Sequence, residues 1–354
     1  MCLRGFDALL RRCVGDLLLK LLRLLLVLVL LAVLGAGSFA LWWLNRPLPL
    51  ASDSVELSID PGTPPREIAQ AWVQAGVDAP ALLLYEWFRW SGQARKIRAG
   101  SYEIGRGTTP LALLNKMVRG DETLAVARLI EGWTFRQFRA ELAKADSLKP
   151  TTATMSDEQV MAALGAPGIA PEGRFYPDTY AYSKGVSDVA VLKRAFHAMQ
   201  KRLDAAWAER APDTPLKSPE EALVLASIVE KETGTPNDRG RVAGVFVNRL
   251  RIGMPLQTDP TVIYGLGTAF DGNLRKRDLL ADTPYNTYTR AGLPPTPIAM
   301  PGKAALLAAV RPETTKALYF VSRGDGSSEF SDTLADHNRA VNQYQRAPQQ
   351  QRSK

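Results

Sequence analysis

Hydrophobic and polar positions divide the chain into stretches of different character. Residues 24–44, LLLVLVLLAVLGAGSFALWWL, are 21 positions without a charge. As a helix this run would be about 31 Å long, enough to cross a bilayer core. Residues 45–54 are polar and contain Pro47 and Pro49, which reads as a stalk. Residues 55–59 (VELSI) alternate as a short strand does and end at the turn Asp60-Pro61-Gly62. Thr63 then caps a helix with Pro64 at its first position, running to about Ala75. A second helix fits residues 79–90, where Leu82, Leu83, Trp87 and Trp90 recur at helical spacing. Residues 99–104 form a returning strand, so 55–122 is a small α+β unit.

A second region, 123–215, repeats part of this wording. Residues 124–130 are strand-like and Glu131-Gly132-Trp133 turns. Thr134 and Gln137 make a capping box for a helix to about Lys144. Residues 157–164 are loosely helical, and PEGRFYPDTY (171–180) is dense in aromatics and turn formers. A long amphipathic helix at 188–210 ends before Pro212 and Pro215. In a third region, 216–345, Ser218-Pro219-Glu220-Glu221 opens a helix through about Thr233. Residues 346–354 are expected to be a disordered tail.

Charge decides how the apolar run is read. Residues 1–23 carry Arg4, Arg11, Arg12, Lys20 and Arg23 against Asp7 and Asp16. Positive charge stays in the cytoplasm, which orients residues 24–44 as a single-pass inner-membrane anchor with a periplasmic body. The run is too long for a cleaved signal and no clean A-x-A follows it. Trp42 and Trp43 suit an interfacial belt. Cys2 and Cys13, the two cysteines, both precede the anchor, so the exported body risks no thiol oxidation. The chain is basic, with 44 Lys+Arg against 36 Asp+Glu, but export makes nucleic acid an unsuitable partner. Two histidines, His197 and His337, and no ligand spacing give no metal site, and no cofactor is expected.

Chemistry concentrates in the helix EEALVLASIVEKET. Glu230 follows the stretch 222–229, apolar except for Ser227, and shares its face with Leu223, Ala226 and Ser227. A carboxyl there loses solvation, which favours the protonated acid that general-acid catalysis needs. Glu232 lies about 200° around the helix and is read as solvated or ion-paired. By pattern alone the favoured reading of Glu230 is a helix-end carboxylate neutralised by Lys231 or an arginine.

The wording of the whole segment adds what the pattern cannot. It runs ASIVEKET (226–233), VFVNRL (245–250), GMPLQTDPTVIYG (253–265), YNTY (285–288) and GLPP (292–295), with YFV (319–321) and His337-Asn338 after it. It closely resembles the YceG-like (MltG) endolytic murein transglycosylases, over about residues 55–345. The resemblance implies an α+β fold: a single transmembrane helix, a small LysM-like ββ/αα glycan-binding unit at 55–122, and a mixed α+β catalytic domain at 216–345 with its catalytic glutamate, Glu230, on a helix. It also implies peptidoglycan strands as substrate, the cytoplasmic membrane as support and penicillin-binding wall synthases as partners. The expected reaction cleaves the β-1,4 bond between N-acetylmuramate and N-acetylglucosamine in nascent strands. It leaves 1,6-anhydromuramate ends and needs one carboxylic acid where ordinary glycosidases need two.

Ser227, Asn248, Arg249, Gln257, Thr258, Tyr264, Tyr285, Asn286 and Tyr288 are the candidate substrate-binding residues. Gln257, Thr258 and Tyr264 suit sugar hydroxyls or loop bonds, and Arg249 suits substrate carboxylates or a structural ion pair. Tyr285, Asn286 and Tyr288 form a polar aromatic loop suited to stacking on sugars. Asp259 reads as a helix N-cap before Pro260 rather than a second carboxylate. His337 and Asn338 read as structural. The alternative functions are a non-catalytic wall-binding scaffold and a pyridoxal-phosphate lyase, for which no Gly/Ser-rich phosphate cup is present. A serine hydrolase would need a G-x-S-x-G elbow, which is missing.

Overall fold

The computed structural model describes residues 4–346, with side chains from 24 to 345. Residues 1–3 of the basic segment and nearly all of the expected tail lie outside the described residues. The chain divides into two compact units, Met1–Leu124 and Ala125–Lys354.

The first unit begins with α1 (Arg4–Asn45), which starts well before the apolar run because the Leu-rich sequence ahead of it is also helix-forming. Its segment Leu24–Asn45 is the one described helix long and apolar enough to cross a membrane, by length and composition. There follow β1 (Ser54–Ile59), α2 (Pro65–Ala75), α3 (Ala81–Trp90), β2 (Gly100–Gly105) and α4 (Pro110–Arg119). β1 and β2 pair antiparallel, with Val55 opposite Ile104 and Ile59 opposite Gly100. Alternation turns Val55, Ile59, Tyr102 and Ile104 inward, onto Trp72, Phe88 and Met117. The helix start at α2 differs from expectation by one residue. Pro64 occupies the cap position, while Thr63 Oγ1 donates to Asp60 O within the preceding turn. α4 was not anticipated, although Thr109 accepts from Ala112 N–H and Pro110 follows it.

The second unit contains β3 (Leu124–Arg128), α5 (Phe135–Lys144), α6 (Asp157–Ala163), β4 (Thr179–Ser183), α7 (Asp188–Ala208), α8 (Pro219–Glu232), α9 (Arg239–Arg251), α10 (Asp259–Leu266), α11 (Lys276–Leu280), α12 (Lys303–Val310), β5 (Tyr319–Ser322), β6 (Ser328–Ser331) and α13 (Leu334–Val341). β3 pairs with β4, and β5 pairs antiparallel with β6. The predicted capping box of α5 forms, with Gln137 N–H on Thr134 Oγ1 and Thr134 N–H on Gln137 Oε1. At α8 only half of the expected box forms. Ser218 Oγ accepts Glu221 N–H, but the Glu221 carboxylate takes Lys217 N–H instead.

One buried cluster joins α5, α6 and α7 around Phe135, Phe138, Phe175 and Phe196. The other surrounds α8, whose residues from Ala222 to Val229 are all buried. α7, α9, α10 and α12 pack around α8, which explains its apolar wording on every side. α12 is likewise apolar and starts at Gly302 without a side-chain cap. The overall class is mixed α+β, with short two-stranded sheets and one N-terminal apolar helix.

Candidate active site

Glu230 lies in the last turn of α8, where the helix leaves its apolar jacket. Its side chain is only 7% exposed, and Oε2 accepts Gly302 N–H at 2.9 Å. Arg239, at the start of α9, places Nη2 3.7 Å from Oε1. Burial pushes the Glu230 carboxyl above the usual carboxylate range, and the charge of Glu131 pushes the same way. The Gly302 hydrogen bond, Arg239 and Lys231 oppose that rise. A carboxyl shifted in that direction keeps its proton to higher pH than a solvated one, which is the direction a general acid needs.

Glu131 reaches this site from the loop between β3 and α5. That loop is tied down by Gly132 N–H to Met300 O at 2.9 Å and Met300 N–H to Trp133 O at 2.8 Å. Lys231 Nζ also donates to Gly132 O. In sequence, Glu131-Gly132-Trp133 reads only as a turn, so neither Glu131 nor Arg239 stands out there.

A groove of about 850 Å³ opens beside Lys231, within the usual size of ligand sites. Phe135, Glu172, Ile263, Tyr264, Phe270 and Tyr285 are among its lining residues. Tyr264 and Tyr285 meet edge-on with ring centres 5.0 Å apart. Tyr285 Oη bonds Thr296 Oγ1 at 2.8 Å, and Tyr264 Oη donates to Glu172 Oε2 at 3.2 Å. Glu172 also accepts Phe135 N–H at the start of α5, and burial raises its carboxyl to about 7. It belongs to the aromatic PEGRFYPDTY stretch, where the density of turn formers hid a buried acid.

Several candidate binding residues hold the framework instead. Ser227 has no exposed surface; its Oγ donates to Val224 O and accepts Ile298 N–H. Asn286 is equally buried, donating to the carbonyls of Asp278, Leu279 and Ala281 and accepting Tyr288 N–H. Asn248 Nδ2 binds the carbonyls of Thr315 and Ala317. Arg249 is 7% exposed, and donates to the carbonyls of Leu318, Pro255 and Leu256 beneath the Tyr319 ring. Among the described residues it forms no ion pair. Its buried guanidinium ties together two main-chain segments, at 255–256 and at 318.

The region around Glu232 departs further from expectation. Its side chain is not freely solvated: it is half-buried, accepts the Thr258 hydroxyl hydrogen, and has its carboxyl raised by desolvation. The helical angle does separate Glu232 from Glu230, but the far face of α8 is covered by the 257–258 loop. Thr258, not Asp259, is the residue before α10, and its side chain goes to Glu232 rather than to a cap. Asp259 accepts from Tyr288 Oη at 2.6 Å. Gln257 is exposed, with φ of 51°. His337 stacks on Tyr319. Of the ten candidate site residues, Tyr264 and Tyr285 line the groove and Glu230 immediately precedes its Lys231 wall.

Comparison with known proteins places this arrangement. Residues 57–343 match the YceG-like family. The endolytic murein transglycosylase of Bacillus subtilis is 31% identical over 319 residues, covering 84% of this chain and 87% of its own. The protein of the same name from Streptococcus pneumoniae is 26% identical over 356 residues, covering 89% of this chain and 63% of its own. A crystal structure of a yceG-like protein from Listeria monocytogenes is 28% identical with a TM-score of 0.52, covering 81% of this chain and 98% of that one. A family match over residues 57–343, with a relative above 30% identity along most of its length, settles the assignment: this chain belongs to the YceG-like family.

Proposed function

We propose that this protein is a membrane-anchored endolytic peptidoglycan lytic transglycosylase, with Glu230 as its catalytic acid and base. The observation that carries the reading is the desolvated Glu230 carboxyl on Gly302 N–H, in a family whose curated relatives are named for this activity. Protonated Glu230 gives its proton to the glycosidic oxygen as the bond from muramate C1 breaks, releasing the N-acetylglucosamine 4-hydroxyl. The muramate C6 oxygen then bonds to C1, and its proton passes to the Glu230 carboxylate. The acid is regenerated and no water is consumed. One carboxyl in both roles suits a site whose desolvation raises its affinity for the proton, making it a readier acceptor in the second step after it has donated in the first.

The groove beside Lys231 accommodates the glycan in this reading, with Tyr264 and Tyr285 as the aromatic wall. The exposed Gln257 is a further sugar contact, and residues 55–122 act as a LysM-like unit. Residues 216–345 carry the catalytic machinery, and 123–215 contribute Glu131 and Glu172 to it. The anchor holds the body on the periplasmic face of the inner membrane, beside penicillin-binding synthases, where cuts within nascent strands end their elongation.

Digestion of purified glycan strands by the full-length protein tests the reading. Fragments should arise by internal cuts and end in 1,6-anhydromuramate, lacking one water relative to a hydrolysis product. Glu230→Gln keeps the shape but cannot carry the proton, so activity should fall at least about 10²–10⁴-fold with an unchanged thermal melt. Solvent-derived oxygen at the new ends, or an active Glu230→Gln variant, would overturn the proposal.

A further inference from the structure

Gly302 occupies an unusual position. Its φ of −81° and ψ of 176° are open to any residue, so backbone strain gives no reason for glycine there. The reason is what surrounds it. A Cβ on Gly302 would stand 1.8 Å from Glu131 Oε1 and 2.2 Å from Glu131 Cδ. The Glu131 carboxylate fills the space a side chain would need. The N–H of the same residue is donated to Glu230 Oε2. Two carboxylates, from the β3–α5 loop and from α8, thus converge on one glycine, while Arg239 addresses Glu230 from its other oxygen.

We propose that Glu131 is a positioning residue for Glu230: lodged where Gly302 leaves room, it supplies the negative charge that offsets Arg239 and keeps Glu230 the acid that the first step consumes. The inference rests on the catalytic reading of Glu230 and deepens it. The groups facing Glu230 are Arg239 from α9, Lys231 from α8 itself, the Gly302 N–H before α12 and Glu131 from its loop. Two cations and a hydrogen-bond donor would together hold the carboxylate charged and poorly able to donate. Burial and Glu131 work against them. A like charge disfavours ionisation, so it serves both halves of the cycle. It holds the proton on Glu230 before bond cleavage, and afterwards makes the new carboxylate a better base toward the C6 hydroxyl.

The test is the pH dependence of glycan cleavage by the full-length protein in detergent. The rate needs the acid form, so it falls as pH rises through the Glu230 ionisation. Glu131→Gln removes a negative neighbour and should move that alkaline limb to lower pH by about one unit, costing about tenfold above the limb and little below it. Arg239→Gln should move the limb the opposite way. Gly302→Ala pushes the end of Glu131 aside without changing any charge. It should reproduce the direction of the Glu131→Gln shift, and the two together should add little to either alone. Glu131→Asp should fall between wild type and Glu131→Gln.

A folded Glu131→Gln variant slowed by the same factor at every pH would overturn the inference, because a structural or contact role predicts that result. If Glu131→Gln fails to melt cooperatively, Gly302→Ala and Glu131→Asp decide, and an unmoved limb in both sinks it. Failure of the underlying reading looks different, since Glu230→Gln would then remain active.

Discussion

At the scale of single residues, the buried carboxyls divide into distinct roles. Glu172 is 6% exposed and lies against Phe135 N–H and the Tyr264 hydroxyl. Burial is the largest influence on it, lifting it from 4.5 to about 7. A carboxyl whose folded value is raised contributes stability that is fully present below its unfolded value and is lost as pH rises through the folded one. Between about pH 4.5 and 7 this group alone should therefore reduce stability by about 3 kcal/mol, with no further change above that window. Thermal melts across the range should show the decline in the wild type and a flatter profile in Glu172→Gln, whose amide oxygen still accepts both hydrogen bonds. Parallel profiles would mean that another group titrates there. Nothing in the local sequence marks Glu172 as buried, because its environment is made by Tyr264 and the start of α5, both distant along the chain.

Among elements, α8 is the most informative. Its apolar stretch and its Ser-Pro start are both visible in the sequence, and the structure buries every residue from Ala222 to Val229. The single polar residue in that stretch does a definite job. Ser227 Oγ accepts Ile298 N–H at 3.0 Å and so ties the helix to the segment that leads into Gly302. Ser227→Ala would leave a buried N–H without an acceptor, at a cost of about 1–3 kcal/mol. The midpoint of denaturant unfolding should fall accordingly, while KM for glycan strands stays near wild type. An unchanged midpoint with a raised KM would instead restore Ser227 as a substrate contact. The side-chain-capped starts of α5 and α8 are legible in the sequence, although the Thr109 cap of α4 was not enough to mark that helix. α12 was not: it begins at an uncapped glycine, and its sequence KAALLAAV carries no amphipathic signal because several elements cover it.

For the whole molecule, the proposed function depends on the long N-terminal helix. Leu24–Asn45 is about 33 Å long as a helix, sufficient to span a bilayer. In the topology proposed above, the Lys/Arg excess before it keeps residues 1–23 in the cytoplasm and leaves the body outside. A reporter fused after Tyr344 that works only in an exported compartment should be active. One that works only in the cytoplasm should be silent, and the reverse pattern would invert the topology.

The sequence by itself determined the long apolar N-terminal helix, the helix starts at α5 and α8, the desolvated setting of Glu230 and, through motif wording, the family. Each follows from local order: hydrophobic periodicity and capping chemistry act over a few residues and survive without knowledge of the rest. Only the tertiary structure decided what lies opposite those faces. It covered Glu232, assigned Asn286, Arg249 and Ser227 to the frame, and brought Glu131 and Arg239 to Glu230. Periodicity states which side of a helix is buried, but the identity of the covering loop comes from chain segments far away in sequence. The charge environment of the acid is set by those segments, so its chemistry became readable only once they were in place.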